Sequence, residues 1–169
     1  MNTFYAQIVS ERPIEKFLRR FLIIDESPQN LIIVSPIICS LQGTRCSIVN
    51  LIGKITEGRI KTYIVTREPE EIFHKEAIDI LSQSDFVEIR YNNSLHAKLY
   101  ICAYQNEYNN FALLGSANLT KHSIEKNIEI GIMIFNKGLG KDLWAELYRW
   151  GIERLRTLAE SKLVKKIKK

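Results

Sequence analysis

The sequence lacks the marks of secreted, membrane-spanning and metal-binding proteins. Cysteine is scarce, and Cys39, Cys46 and Cys102 form an odd set without metal-ligand spacing, which favours a reducing compartment. The longest apolar stretch, residues 31–41, is interrupted by two serines and a proline, and it is shorter than the roughly 20 apolar residues that a membrane helix needs. The N-terminus shows no charged segment followed by a long apolar run. We therefore expect a cytoplasmic protein without a secretory signal or stable membrane insertion.

An excess of positive charge is confined to one end of the chain, although the net charge is +5. The last eight residues hold five lysines: Lys162, Lys165, Lys166, Lys168 and Lys169. Without them, 19 basic residues balance 19 acidic ones. We divide the chain into a main domain, residues 1–161, and a basic C-terminal tail, residues 162–169, as a candidate arm for nucleic acid. A solvated terminus that only aids solubility explains the same lysines equally well.

Strand-like and helix-like segments alternate in the first half of the sequence, and strands cluster in the second. Apolar periodicity predicts strands at residues 31–34, 60–66, 86–90, 95–104, 111–115 and 128–135, and helices at 12–22, 44–55, 69–81 and 139–163. This pattern predicts an α/β fold, a layered α/β/α sandwich with a mixed central sheet.

Three short segments carry side chains suited to phosphate chemistry. They contribute His96 and Lys98, then Ser116 and Asn118 after Gly115, and then Asn127 and Glu129. Because side chains alternate faces along a strand, we expect the polar residues of each segment to lie on one face, with apolar residues behind them. A histidine, a lysine, a hydroxyl, an amide and a carboxylate would then converge on one side of the sheet.

Each of these residue types has a role in attacking and holding a phosphate. The imidazole of His96 offers a lone pair for attack on phosphorus, and the ammonium of Lys98 offers positive charge for the phosphate oxygens. Ser116 and Asn118 supply hydrogen-bond donors. Glu129 could accept a proton from the second imidazole nitrogen and fix the tautomer. Taken singly, each residue also fits an ordinary structural role, such as a hydrogen-bonded sheet histidine or a capping asparagine.

The other two histidines, His74 and His122, receive no catalytic role. We expect His74 to lie exposed on the third helix, and His122 to lie after the second segment, either near enough to approach the site or in an ordinary loop. No set of Asp, Glu, His and Cys residues shows the spacing of a catalytic metal site, so we predict a metal-free mechanism without a cofactor.

The three segments together resemble the HKD motif of the phospholipase D superfamily. The family pattern is His-x-Lys, an Asp a few residues on, then Gly-Ser-x-Asn and a downstream Asn-x-Glu. This sequence matches every part except the Asp, which would fall at Ala103. The resemblance implies a phospholipase D-like fold, a catalytic set and a supporting residue, Asn127. That catalytic set is His96, Lys98, Ser116, Asn118 and Glu129, of which Lys98, Ser116 and Asn118 bind the phosphate.

The resemblance also implies a reaction and an assembly. Family members are phosphodiesterases that act through a phosphohistidine and use two His-x-Lys motifs, whereas this chain has one. We therefore expect a homodimer in which two chains share one site. The short chain and basic tail favour a DNA endonuclease. A phospholipid phosphodiesterase, the nuclease module of a larger protein, and a degenerate phosphate- or nucleic-acid-binding module stay open, and Ala103 favours the last.

Overall fold

The computed structural model of the chain describes residues 5–168. Its strands are β1 (Ala6–Val9), β2 (Asn30–Val34), β3 (Lys61–Thr66), β4 (Val87–Tyr91), β5 (Leu99–Ala103), β6 (Phe111–Gly115), β7 (Gly131–Phe135) and β8 (Lys162–Lys165). Its α-helices are α1 (Pro13–Ile23), α2 (Ile48–Glu57), α3 (Ile72–Ser82), α4 (Lys121–Glu125), α5 (Gly140–Arg149) and α6 (Leu155–Thr157). A π-helical turn, Trp150–Arg154, joins α5 to α6 as one continuous C-terminal helix.

All eight strands form one mixed sheet in the order β1-β7-β6-β5-β2-β3-β4-β8. Strands β2, β3 and β4 are parallel, and every other neighbouring pair is antiparallel. The direction of pairing therefore changes at β2, which is parallel to β3 on one side and antiparallel to β5 on the other. Functional groups in open α/β sheets collect at strand ends beside such a switch.

Local sequence explains where the first helices begin. Pro13 stands at the first position of α1, where a missing N–H costs no helical hydrogen bond. The α1 side chains Phe17 and Phe21 recur on one face and are fully buried. Helix α2 begins later than the sequence predicts, because the Ser47 hydroxyl accepts a hydrogen bond from the Asn50 N–H at 3.2 Å and caps the helix there.

Helices cover both faces of the sheet, so the predicted α/β/α sandwich with a mixed central sheet is confirmed. Helices α1 to α4 pack on one face over a core that includes Leu31, Ile64 and Leu113. The C-terminal helix covers part of the other face, where Trp144 and Leu155 pack on the sheet. Within residues 5–168, no helix is both long enough and apolar enough to cross a membrane.

The C-terminal end of the chain differs from the prediction of one helix over residues 139–163. The helix ends at Thr157, and Leu158 has an extended backbone. The buried hydroxyl of Ser161 donates to the carbonyl of Leu155 at 2.6 Å and so satisfies the end of the helix. The chain then returns to the sheet, and residues 162–165 form the edge strand β8 against β4.

Candidate active site

The three predicted segments meet at one end of the sheet. Strand β5 begins there at Leu99, β6 ends there at Gly115, and β7 begins there at Gly131. These three strands are neighbours, with Leu99 paired to Leu114 and Gly115 paired to Gly131. The chain just before β5, just after β6 and just before β7 therefore lies side by side.

His96 and Lys98 lie in the segment before β5, so the prediction that they sit on a strand is wrong. The strand cannot extend to them because its partner β2 ends at Val34, opposite Leu99, and Pro36 follows. The segment stays joined to β6 on the other side, where the Gly115 N–H donates to the Lys98 carbonyl at 3.3 Å. Because this segment lies outside the strand, the side chains of His96 and Lys98 need not follow the alternation of faces along a strand.

The imidazole of His96 is exposed, as a nucleophile needs. Lys98 is half-buried, and its ammonium donates to the carbonyl oxygen of His96 at 2.8 Å. The charge of Lys98 is thereby held against the backbone of the histidine that it is predicted to assist.

Gly115 is required where it stands because β7 approaches it closely. A Cβ atom at this position would lie 2.4 Å from the carbonyl oxygen of Ile130 and 2.7 Å from the Cα of Gly131. Next to it, the Ser116 N–H donates to the Ile130 carbonyl at 2.9 Å, and the Ile130 N–H donates to the Ser116 hydroxyl at 3.1 Å. The glycine of the Gly-Ser-x-Asn pattern thus lets the two segments pair, and this pairing fixes Ser116.

Asn118 lies in a turn held from beneath by buried side chains. The hydroxyl of Tyr100 donates to the Ala117 carbonyl at 2.8 Å, and the Ser35 hydroxyl accepts from the Leu119 N–H at 3.0 Å. Burial raises the pKa of Tyr100 above its usual range, so the phenol remains protonated and keeps this bond. The amide of Asn118 is half-buried, and its Oδ1 finds no hydrogen-bond partner within residues 5–168.

Glu129 is buried and bound by three donors. Its Oε1 accepts from the Ser123 hydroxyl at 3.0 Å and from the Asn127 amide at 3.1 Å, and its Oε2 accepts from the Ser116 hydroxyl. Asn127, predicted as a supporting residue, thus contacts the carboxylate although its own side chain is exposed. No hydrogen bond joins Glu129 to His96 in the described part of the chain, so the carboxylate here organises the Ser116 turn, and the predicted contact with the imidazole stays a prediction.

Arg67 is a residue of this region that the sequence did not indicate. It follows β3 directly, and its guanidinium reaches past the end of β2 to the segment before β5. Its Nε donates to the Leu95 carbonyl at 2.8 Å, and its Nη2 lies 3.0 Å from Nε2 and 3.2 Å from Nδ1 of His96. Arg67 precedes His96 by 29 residues, so no local sequence pattern could have joined them.

The other histidines differ in their surroundings. His122 is exposed on α4, whereas His74 is buried, so the prediction that His74 is exposed is wrong. The Nε2 of His74 lies 3.0 Å from the Thr66 hydroxyl, and burial lowers the pKa of the imidazole to about 4. Among residues 5–168, no group of three or more His, Cys, Asp or Glu side chains is arranged to hold a metal ion.

The tail lysines are not equivalent in the structure. Lys165 lies in β8 and donates to the carbonyls of Ser84 and Val87 at 2.6 and 2.7 Å. Lys168 forms an ion pair with Asp85 at 2.9 Å. The remaining two described lysines of the tail, Lys162 and Lys166, are exposed, and Lys169 lies outside the described residues.

An exposed apolar strip borders the site. Ile8, Ile132 and Leu114 lie side by side across β1, β7 and β6, because Ile132 pairs with both of the others. All three are exposed, on the sheet face that the C-terminal helix covers elsewhere. Ile128 and Ile130, on either side of Glu129, are exposed as well. Exposed aliphatic side chains grouped in this way mark interaction surfaces.

Comparison with known families gives one clear match. A family described as "Cardiolipin synthase, PLD-like domain" matches residues 22–150, which include all three segments of the site. No curated protein matches the chain in sequence.

Solved structures match the fold at low sequence identity. Nuc, a phospholipase D family member from Salmonella typhimurium, gives a TM-score of 0.70 at 14% identity over 95% of this chain and 97% of Nuc. NucT from Helicobacter pylori gives 0.66 at 13% identity over 94% and 98% of the two chains. TrmBL2, an archaeal chromatin protein described as binding DNA, gives 0.56 at 13% identity over 96% of this chain and 54% of TrmBL2.

Proposed function

The chain belongs to the family of phospholipase D-like domains, and on that premise we propose that it is a metal-independent phosphodiesterase with DNA as its favoured substrate. The observation that carries the proposal is the meeting of three segments at the ends of β5, β6 and β7. There an exposed histidine stands beside two cationic side chains, Lys98 and Arg67. The next strand end carries Asn118, whose amide can donate to a phosphate oxygen, and Ser116, whose hydroxyl would exchange its bond to Glu129 for one to phosphate.

The proposed reaction proceeds in two displacements at phosphorus. A ring nitrogen of His96 donates its lone pair to form an N–P bond, and the P–O bond to the leaving group breaks. The departing oxygen takes a proton from a second imidazole, which then removes a proton from water as that water attacks phosphorus and the N–P bond breaks. Lys98, Ser116 and Asn118 hold the phosphate oxygens through both steps.

The second imidazole is proposed to come from a second copy of the chain. The sequence holds one His-x-Lys, so a second motif of this kind for the leaving group has to come from another chain. The apolar strip of Ile8, Leu114 and Ile132 offers a surface for that copy directly beside the site. The proposed dimer has its two-fold axis at the Leu114 end of this strip, so that two His96 residues face each other and the exposed aliphatic side chains are covered at the same time.

A second candidate is phosphodiester cleavage or transfer on phospholipids. The description of the matching family names cardiolipin synthase, which by its name is an enzyme of lipid metabolism. The apolar strip would then face acyl chains rather than a second copy. DNA remains favoured because TrmBL2, a protein with a similar fold over part of its length, is described as binding DNA, and because Lys162 and Lys166 leave positive charge exposed at the tail.

The proposed function is tested with plasmid DNA and phospholipid vesicles in parallel, each with excess EDTA. We expect DNA cleavage to persist in EDTA and to be lost in His96→Ala, whereas His122→Ala, which removes another exposed histidine, should stay active. Quenching a reaction with excess enzyme should trap a DNA end joined through its phosphoryl group to His96, detected by mass spectrometry of the nuclease-trimmed adduct under alkaline conditions. Loss of cleavage in EDTA with recovery in Mg²⁺ would contradict the metal-free mechanism, and cleavage of lipid alone would select the second candidate.

A further inference from the structure

The guanidinium of Arg67 makes two kinds of contact with the segment that carries His96. Its Nε donates to the backbone carbonyl of Leu95 at 2.8 Å, which fixes the plane of the guanidinium against the chain. Its Nη2 lies within 3.2 Å of both nitrogens of the neighbouring imidazole. One side chain therefore holds both the backbone before the histidine and the histidine ring.

The two distances from Nη2 determine where it lies relative to the ring. Nδ1 and Nε2 stand on opposite sides of Cε1, so an atom nearly equidistant from both at 3.2 and 3.0 Å would collide with Cε1 if it lay in the ring plane. Nη2 must therefore lie over the face of the imidazole. A guanidinium stacks readily on an aromatic face in this way.

This placement leaves the in-plane directions of both ring nitrogens open. No other hydrogen bond to the His96 side chain occurs in the part of the chain that the structure describes. An in-plane hydrogen bond to Arg67 would occupy a lone pair, whereas contact with the face restrains the ring and keeps the lone pair available. Attack on phosphorus needs an in-plane lone pair.

We propose that Arg67 is a positioning residue that clamps the imidazole of His96 by its face and so holds the attacking nitrogen in line with the phosphate. The catalytic role of this clamp rests on the proposed function, whereas its geometry rests on the contacts alone. Arg67 is itself anchored, because its N–H donates to the Pro36 carbonyl at 3.3 Å and its side chain is half-buried. The clamp therefore connects His96 to the ends of β2 and β3.

The clamp requires arginine rather than any cation. Lysine carries the same charge on a single nitrogen, which cannot reproduce two contacts made by separate nitrogens, one with the imidazole face and one with the Leu95 carbonyl. The variants Arg67→Lys and Arg67→Ala thus separate geometry from charge. Arg154→Ala is the control, because Arg154 is exposed on the C-terminal helix and its side chain forms no hydrogen bond among residues 5–168.

The kinetic test uses bis(p-nitrophenyl) phosphate in single turnovers with excess enzyme. Its leaving group departs without a proton, so the release of p-nitrophenolate reports the attack by His96 before the second displacement. We expect the maximal single-turnover rate to fall about a hundredfold in both Arg67 variants, with little change in the enzyme concentration that half-saturates it, as misplacement of a reacting group does. Added guanidinium ion should restore part of the single-turnover rate of Arg67→Ala, and ammonium ion should not. A full single-turnover rate in Arg67→Lys, or weaker saturation with an unchanged maximal rate, would overturn the proposal.

An NMR measurement tests the clamp whether or not the protein cleaves phosphodiesters. In the wild-type protein, we expect nuclear Overhauser contacts between side-chain protons of Arg67 and ring protons of His96, and changed His96 ring resonances in Arg67→Lys. If wild-type protein is inactive but shows these contacts, the proposed function fails and the clamp stands. If the contacts are absent and the His96 resonances of Arg67→Lys match the wild type, the clamp fails.

Discussion

Replacing Glu129 by glutamine separates two roles for one carboxylate. Glutamine has the same shape, so its carbonyl oxygen can take the place of Oε1 and keep the donors from Ser123 and Asn127. Its amide then faces the Ser116 hydroxyl, which can turn its proton to the Ile130 carbonyl, 3.3 Å away, and accept from the amide. No donor is left facing another donor, so the turn should keep its shape.

The expected loss of stability follows from these contacts. A hydrogen bond to a charged group contributes about 1.5–3 kcal/mol and a neutral one about 0.5–1.5 kcal/mol. Because the hydrogen bond from exposed Asn127 is weakened by water, the hydrogen bonds from Ser116 and Ser123 account for most of the change in stability. Glu129→Gln should then lower the free energy of unfolding by about 2 kcal/mol, and Glu129→Ala, which removes both bonds, by about 4 kcal/mol. Urea denaturation with a common m-value measures both.

Activity distinguishes the two roles. If Glu129 acts by holding the Ser116 turn, kcat of Glu129→Gln should stay close to that of Ser123→Ala, a control that removes one donor and keeps the charge. If Glu129 orients the His96 imidazole, neutralising it should cost about four orders of magnitude, as for the carboxylate of a catalytic triad. A loss of that size with little loss of stability would refute the interpretation that Glu129 acts through the turn.

Four further outcomes are expected. When wild-type chains are mixed with His96→Ala chains, activity should fall as the square of the wild-type fraction, whereas a linear fall would exclude a shared site. Replacing exposed Lys162 and Lys166 by serine should flatten the slope of log binding constant for DNA against log salt concentration by about 0.9 for each phosphate that these lysines neutralise. An unchanged slope would mean that the tail does not contact DNA. The pKa of buried His74 is about 4, against about 6.5 in the unfolded chain. Between these values the unfolded state binds a proton that the folded state does not. The free energy of unfolding should therefore fall as the pH is lowered from 6.5 to 4, by roughly 2 kcal/mol after allowance for partial solvent screening. His74→Gln should remove this pH dependence, and an unaltered profile would assign it to other groups. Ala103→Asp should leave kcat unchanged and lower the free energy of unfolding by about 1–3 kcal/mol, as burial of a polar group does, and a gain in activity would contradict that expectation.

Local sequence patterns were sufficient to predict those features of the structure that depend on residues close together in the chain. Strand β6 has the predicted bounds, 111–115, because its apolar run ends at a glycine that β7 requires. The predicted strands at 95–104 and 111–115 correspond to β5 and β6, which pair antiparallel and make the polar segment at 105–110 the loop of a hairpin. The grouping of the three motif segments also follows from the sequence, since each borders a strand of the same sheet.

Distant partners decided the features that the sequence could not show. His96 and Lys98 leave the strand because β2 ends opposite Leu99, a fact of pairing between segments far apart in the chain. Residues 162–165 carry a basic pattern that suits a tail, yet β4 offers an open edge and they pair with it. The contact of Arg67 with His96 likewise depends on the order of β3, β2 and β5 in the sheet.

The departure from the family pattern at Ala103 lies away from the site. Ala103 is the last residue of β5, whereas the site lies before its first residue, Leu99, about 13 Å away at roughly 3.3 Å per residue. Ala103 is buried in the layer beneath the C-terminal helix and pairs with Asn30, whose amide donates to the Tyr148 hydroxyl at 2.9 Å. A carboxylate there could act on the attachment of that helix, but it could not reach a phosphate at His96. The missing Asp, which favoured a degenerate binding module in the sequence, therefore does not favour it over the proposed enzyme once its place in the sheet is known.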